Sequence, residues 1–411
     1  MKNLVKKNLL KLKPSATLQI NEKSKYLIKQ GKKVFRFGFG QSPFPIPDDI
    51  VSTLKKFSDR KEYLPMQGLP ELRKAISVYL TKRTKIKYAP DNIIITPGSK
   101  EAMLLMHVVF NGEIILPAPS WVSYEPQAII GKNKVHWIQT SRENNWFPSG
   151  KDIERVAKKI GNKNKILILN SPNNPSGTTC NNFDEISKIA KKYKILILSD
   201  EIYTDMTFDK SYSSISKFYP EATFISGGLS KWCGAGGWRL GFFAVPENLS
   251  HFMKSLKTLA SESYSTVNSP TQYAAVEAYK GDYSEYLNKT TNILKSVGHY
   301  VFNKLKSNKI LINKPQGAFY LMPEFLNKRF KNSSELCDVI LNETGVAMLP
   351  GSEFGFKPGK MLTRLSYTDF NGSIFLENTT LNENILDEKI EKYAPNVAEG
   401  AQKLSNWAKN L

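Results

Sequence analysis

Seven short runs of Ile, Val and Leu, separated by stretches of helical periodicity, constrain this chain more than any other feature. The runs are Asn92–Thr96, Glu113–Leu116, Lys134–Gln139, Lys165–Asn170, Lys194–Ser199, Thr223–Ser226 and Leu240–Val245. Helical patterns at Ser99–Val109, Asp152–Ile160 and Phe183–Lys192 lie between them. Short, nearly uninterrupted apolar strands must be covered on both faces, and helices between strands act as crossovers. The spacing therefore predicts an α/β fold with a three-layer, mostly parallel sheet. From about Glu285 the texture changes to long helices with a few strands, at Ala318–Met322 and Met361–Ser366, and a helical ending over Leu381–Leu411 broken at Pro395. An opening helix at Ser15–Gln30 leads into a Gly/Pro-rich crossing, Phe37–Pro47. For 411 residues two domains are expected. The layout assigns 46–284 to a large α/β domain, and 1–45 plus 285–411 to a smaller α+β domain built from both termini.

Composition removes several classes of function. Hydrophobic residues make up 41% of the chain, enough for a substantial core and too many for a disordered one. Lys and Arg number 58 against 37 acids, a net charge of +21 that suits an anionic ligand or nucleic acid. The lysines are scattered, however, and no arginine-rich stripe or nucleic-acid motif accompanies them, so no nucleic-acid partner is expected. Cys180, Cys233 and Cys337 form no CxxC pair, and their odd count favours a reducing compartment over a disulfide framework. Four dispersed histidines (His107, His136, His251, His299) give no metal site. No apolar run approaches a membrane span, and the basic stretch Met1–Leu12 lacks the h-region of a leader. The expectation is a cytoplasmic protein without membrane contact.

The polar residues that stand out share one location. Gly98, Asn174, Asp200 and Lys231 each follow or close a different predicted strand. In open α/β sheets ligands bind outside the carboxyl ends of the strands, so these loops converge on one crevice. The densest of them is Ser226-Gly-Gly-Leu-Ser-Lys231-Trp-Cys-Gly-Ala-Gly-Gly-Trp-Arg239-Leu-Gly241, with a lysine and an arginine eight positions apart. Glycines let backbone approach a ligand closely. A desolvated lysine near a guanidinium has a depressed pKa and becomes a usable nucleophile and proton carrier.

From Gly228 to Gly241 this loop resembles, position for position, the pyridoxal-phosphate attachment signature of the class I/II aminotransferases, the aspartate-aminotransferase-like group of fold type I. The resemblance implies pyridoxal 5'-phosphate as cofactor, Lys231 as its covalent attachment point, and Arg239 and Ser230 near its phosphate. Ser199-Asp200-Glu-Ile-Tyr203 is similar to the family's Asp-x-x-Tyr element. There Asp200 keeps the pyridine nitrogen protonated and Tyr203 reaches the phenolic oxygen; without the lysine loop Asp200 would more often be a helix cap or a salt-bridge partner. Asn170-Ser-Pro-Asn-Asn174-Pro-Ser-Gly177 is similar to the Asn-Pro-Thr-Gly turn, making Asn174 a second partner of that oxygen. Thr96-Pro-Gly98-Ser99-Lys100 runs from a strand into a helix, a natural anion site for the phosphate; an N-cap by Ser99 describes the same geometry.

Pro119-Ser-Trp121-Val-Ser-Tyr124 resembles the segment whose aromatic, here Trp121, stacks on the cofactor ring and borders the substrate. Tyr63 in Tyr63-Leu-Pro-Met-Gln-Gly68 looks like the tyrosine that crosses a homodimer to the neighbour's phosphate. Arg364, in Leu362-Thr-Arg-Leu-Ser366, sits where the family binds the substrate α-carboxylate, for which a planar, permanent cation is well suited. Gly40, within Phe37-Gly-Phe-Gly40, resembles the glycine whose backbone lies against the substrate. The resemblance runs from about Lys13 to near Glu391, with two departures. Gly228 stands where many relatives have a phosphate-binding serine, leaving Ser230 or Ser226 as substitutes, and Asn111–Glu113 is shorter than the usual connection.

The implied activity is ping-pong transamination of an L-amino acid, with a lean toward aspartate, and a 2-oxo acid, 2-oxoglutarate foremost. Lys231, Asp200 and Tyr203 are the catalytic set. Gly40, Trp121, Asn174 and Arg364 are the substrate set. A C–S lyase, decarboxylase or synthase of the same fold type, or a transaminase preferring aromatic amino acids, alanine or methionine, would use the same lysine and aspartate.

Overall fold

The computed structural model describes residues 4–209, 213–327 and 329–411; Met1–Asn3 of the basic N-terminal stretch lie outside them. Each of the seven predicted strands forms, with both ends within two residues of the sequence reading: β1 Ile93–Thr96, β2 Glu113–Ala118, β3 Val135–Gln139, β4 Lys165–Asn170, β5 Ile195–Asp200, β6 Thr223–Gly228 and β7 Gly241–Ala244. They make one sheet in the order β1-β7-β6-β5-β4-β2-β3. β3, β2, β4, β5 and β6 run parallel, and β7 is inserted antiparallel between β6 and β1.

Alternation along the strands builds the three layers. Ile114 and Leu116, Ile166 and Ile168 pack on one face with α4 (Ser99–Val109), α5 (Tyr124–Ile130) and α8 (Ser250–Ser261). Ile115, Leu167 and Leu169 pack on the other with α6 (Gly150–Ile160) and α7 (Phe183–Lys192). Beside them α3 (Pro70–Thr84) and α9 (Ser269–Lys280) cover Ile93, Ile95, Ile225 and Phe242. The remaining helices of the first half are α1 (Ala16–Lys29) and α2 (Asp48–Lys56). α6 begins with a capping box, Ser149 accepting from the Asp152 amide while the Asp152 carboxylate accepts from that of Ser149.

Beyond the sheet, the 22-residue helix α10 (Ser284–Leu305) packs with α14 (Pro395–Lys409), and α11 (Ser333–Thr344) joins the same core through Leu336 and Ile340. Five short strands accompany them: β8 Ile310–Leu311, β9 Tyr320–Leu321, β10 Glu324–Phe325, β11 Leu349–Pro350 and β12 Thr363–Ser366. β12 is the centre of a three-stranded antiparallel sheet, β11-β12-β9. α12 (Gly372–Glu377) and α13 (Asp387–Tyr393) complete the chain. The helical ending expected over Leu381–Leu411 begins only at Asp387. Asn382 has the left-handed φ of 57°, and the Glu383 carboxylate accepts from the Thr380 amide, so this Asn-rich segment closes a turn instead. Pro395 opens α14 at a position where its missing N–H costs nothing.

Candidate active site

The carboxyl ends of β1, β2, β4, β5 and β6 deliver the polar residues to one crevice. In register across three strands, Asn170 pairs with Asp200 and Asp200 with Ser226. Asp200 is 4% exposed and takes hydrogen bonds from Tyr124 Oη (2.7 Å), Ser226 Oγ (3.2 Å) and the Ile202 amide (3.4 Å). Burial still pushes its carboxyl up to about 6, because those donors only partly offset lost hydration. A carboxylate held this way favours a cationic N–H beside it. Ser226, one of two candidate phosphate ligands, is thus committed to Asp200; Ser230 stands in the following loop.

Asn170 fastens the next element. Its side chain donates to the Asp200 carbonyl (2.8 Å) and accepts from the Asn174 amide (2.7 Å). Asn174 Nδ2 then reaches Tyr203 Oη at 3.4 Å, and Asn174 Oδ1 accepts from Arg364 Nη1 at 3.3 Å. Arg364, on β12, is 1% exposed and also donates to the Gly38 carbonyl (2.5 Å). Its guanidinium lies 4.9 Å from the Tyr320 ring centre and 5.4 Å from that of Phe354, while its Nε has no partner. Among the described residues no carboxylate comes within ion-pair distance of it. A buried cation without a counter-ion is expensive, so the site is incomplete without an anion.

Lys231 follows β6 and donates to the Gly40 carbonyl at 3.0 Å. Desolvation, then Arg364, lower its amine to about 8. The crossing segment is fitted tightly here: a Cβ on Gly40 would lie 2.1 Å from Tyr320 Oη. Tyr320 Oη is 2.9 Å from Tyr203 Oη.

A second anion site forms at the start of α4. Gly98, at φ 82°, occupies the capping position, with Ser99 the first helical residue, so Ser99 is not the N-cap. Arg239 is pinned over this turn by hydrogen bonds to the carbonyls of Gly236 (2.9 Å) and Pro97 (3.2 Å). A Cβ on Gly98 would meet Arg239 Nη2 at 2.2 Å, and one on Gly241 would meet the Ser99 amide nitrogen at 2.3 Å. Two glycines thus let a helix start, a guanidinium and a strand close around one small space, a cradle suited to phosphate. Gly228 has its own steric reason: it pairs with Gly241, and a Cβ there would lie 2.7 Å from the Leu240 carbonyl oxygen. The backbone closes this position to a serine.

Trp121 lies on the same rim, edge-on to Tyr124 at 5.4 Å, with Lys100 Nζ 5.1 Å from its ring centre. Desolvation and Arg239 lower the Lys100 amine. The structure thus brings together Gly40, Gly98, Ser99, Lys100, Trp121, Asn174, Asp200, Tyr203, Ser230, Lys231, Arg239 and Arg364. Tyr63 stands apart: it is 89% exposed and shares none of these contacts among the described residues of its own chain. Two residues escaped the sequence reading, Tyr124 and Tyr320. Tyr124 had a signal, its position three residues after Trp121 at a helix start. Tyr320 had none beyond its strand.

Comparison with known proteins bears on the fold and the family. The family described as "Aminotransferase class I and II" matches residues 32–371. Aspartate aminotransferase of Bacillus sp. (strain YM-2) is 32% identical over 408 residues, covering 95% of this chain and 98% of the relative. That of Bacillus subtilis (strain 168) is 33% identical over 377 residues, covering 88% and 93%. Among solved structures, alanine aminotransferase from Pyrococcus furiosus superimposes with a TM-score of 0.85 at 28% identity, covering 99% of this chain and 100% of the other. Aspartate aminotransferase from Thermotoga maritima gives 0.82 at 25% identity, covering 98% and 100%.

Proposed function

Since the chain belongs to the class I and II aminotransferases, we propose that it moves the amino group of L-aspartate to 2-oxoglutarate, with pyridoxal 5'-phosphate as cofactor. The observation that carries this reading is Arg364, a buried guanidinium without a counter-ion, in the same crevice as the depressed amine of Lys231.

The residues present fit the cofactor. The glycine cradle at Gly98 and Gly241, with Ser99, Ser230 and Arg239, would hold its phosphate; Asp200 would hold its ring nitrogen; Asn174 and Tyr203 would hold its phenolic oxygen; Trp121 would pack against it; and Lys231 would be its attachment point. When bound, pyridoxal phosphate supplies a ring that withdraws the electron pair left at the amino-bearing carbon. Every other task falls to the protein. Arg364 grips the α-carboxylate through two parallel N–H donors, which fixes the Cα–H bond toward Lys231. With its amine lowered to about 8, Lys231 Nζ takes the Cα proton as a neutral amine and gives it back as an ammonium. Asp200, kept from water by Tyr124 and Ser226, stabilises positive charge at the ring nitrogen. Gly40 presents its carbonyl to Lys231 and, lacking a side chain, leaves room for the Tyr320 hydroxyl.

Four cations influence one another in this crevice: Lys231, Arg364, Arg239 and Lys100. With the first three engaged by attachment, α-carboxylate and phosphate, Lys100 remains for the second carboxylate of aspartate or 2-oxoglutarate. The similarity to an alanine aminotransferase makes alanine the second donor to test. The same reading divides the chain into a large domain, 46–284, and a small one, 1–45 plus 285–411, with the crevice between them. It pairs two copies, each extending its exposed Tyr63 to the other's phosphate. Three buried, unpaired cysteines support a reducing, cytoplasmic setting.

The test is spectroscopic. Purified protein is reconstituted with pyridoxal phosphate, and aspartate, alanine, phenylalanine and methionine are added separately. Bleaching of the yellow band by aspartate, and its return with 2-oxoglutarate, is the expected result. Absence of a chromophore would overturn the cofactor assignment. Release of ammonia or carbon dioxide without oxo-acid exchange would overturn transamination.

A further inference from the structure

We infer that Tyr320 is a positioning residue, whose hydroxyl aims the Tyr203 hydroxyl into the crevice and whose ring carries the Arg364 guanidinium. The inference rests on the reading of Tyr203 and Arg364 given above.

A tyrosine hydroxyl has one proton and two acceptor positions. Tyr203 Oη accepts from Asn174 Nδ2 and lies 2.9 Å from Tyr320 Oη, where either oxygen can be the donor. Asn174 cannot reverse its role, because its Oδ1 faces Arg364 Nη1, a group that only donates. If Tyr320 donates, both acceptor positions of Tyr203 are filled and its own proton points to the open side. If Tyr203 donates instead, its proton is turned away from any crevice ligand. A ligand oxygen needing a donor selects the first arrangement, and the chain Tyr320 to Tyr203 to ligand is mutually polarising.

The ring has a separate task. Tyr320 lies under Arg364 at 4.9 Å and packs edge-on against Tyr203 at 5.7 Å. Its hydroxyl also occupies the space that a side chain on Gly40 would need. One fully buried residue therefore touches the cofactor-facing tyrosine, the substrate-facing arginine and the backbone that receives Lys231.

Tyr320→Phe separates the two tasks. In the reconstituted protein, titration of the chromophore's absorbance against pH is expected to show its pKa raised by about 0.3 to 1 unit, a fraction to the whole of one hydrogen bond. KM for aspartate is expected within about threefold of the parent, because the ring remains. Tyr320→Leu, which removes the ring as well, is expected to raise KM by about fivefold or more. Replacing Tyr320 with 3-fluorotyrosine keeps the shape and strengthens the donor, so the chromophore pKa is expected to fall; this arm decides the matter if Tyr320→Phe does not fold. An unchanged chromophore pKa in a folded Tyr320→Phe protein, or an unshifted or raised one with fluorotyrosine, overturns the inference. A parent protein with no titrating chromophore overturns the cofactor reading beneath it instead.

Discussion

Replacing Arg364 with methionine should separate what this residue does for function from what it does for stability. The guanidinium is buried and, among the described residues, has no counter-ion and no partner for Nε. Exchanging buried charge for an apolar side chain of similar size is often worth about 1–4 kcal/mol of stability. Against this, the Gly38 carbonyl and Asn174 Oδ1 each lose a donor, costing together about 2–6 kcal/mol. These terms largely offset, so the cofactor-free Arg364→Met protein should unfold in urea at the parent's concentration or a modestly lower one. Function should collapse, since removing one partner of a desolvated ion pair costs about 2–5 kcal/mol, or roughly 30- to 4,000-fold in kcat/KM. The Lys231 amine, freed of the strongest charge holding it down, should titrate above its present value of about 8. The reasoning is refuted if Arg364→Met loses several kcal/mol of stability while keeping kcat/KM for aspartate within threefold. Arg364 would then be a structural cation whose hydrogen bonds outweigh its desolvation.

Three further outcomes are expected. Asp200, raised to about 6, destabilises the cofactor-free fold as pH rises from its unfolded value near 3.8 through 6, and fully above. Lys231, lowered to about 8, destabilises it fully below 8, a penalty that disappears as pH rises toward 10.5. Both penalties coincide between pH 6 and 8, so the gain in Tm on adding pyridoxal phosphate should be largest there; a gain that grows steadily toward pH 5 or pH 10 would contradict this. Gly98→Ala should weaken pyridoxal phosphate about 10- to 100-fold by left-handed strain and displacement of Arg239, yet change the affinity of pyridoxal without its phosphate by under threefold. Equilibrium dialysis with both compounds checks it. Finally, Lys231→Ala and Tyr63→Ala should each be nearly inactive alone, whereas refolding them together should restore turnover, because a hybrid pair holds one site with both residues intact. No recovery on mixing would place Tyr63 outside the neighbour's site.

The sheet was legible because its signal is local: each strand is a short run of four to six residues, most of them rich in Ile, Leu, Val or Phe, bounded by a helix start or a turn. The crevice was legible because glycine-dense loops with single charges carry chemistry at fixed spacing, as from Gly228 to Gly241. What escaped depended on pairing between distant segments. Tyr320 is one of 18 tyrosines and enters the site only because Ser366 pairs with it, which sets it diagonally beside Arg364 on one face. Ser226 and Ser230 were equivalent in sequence, and the register Asp200–Ser226 distinguished them. Leu381–Leu386 has helix-forming residues at several positions, but a left-handed asparagine and a carboxylate-capped turn override them.

The antiparallel insertion of β7 has a consequence for how the protein is made. Among the described residues β1 pairs in the sheet with β7 alone, and Gly241 pairs with Thr96, so the edge bearing Gly98 gains its neighbour only when residues roughly 145 positions later leave the ribosome. At a synthesis rate of about 5–20 residues per second, that is a wait of roughly 7 to 30 s, during which β1 is an open strand exposed to self-association. The phosphate cradle, made from both sides of this seam, therefore exists only after every other strand of the large sheet has been made. Cofactor capture during translation would report a closed sheet, and a shortage of cofactor would fall most heavily on chains that have only just completed it.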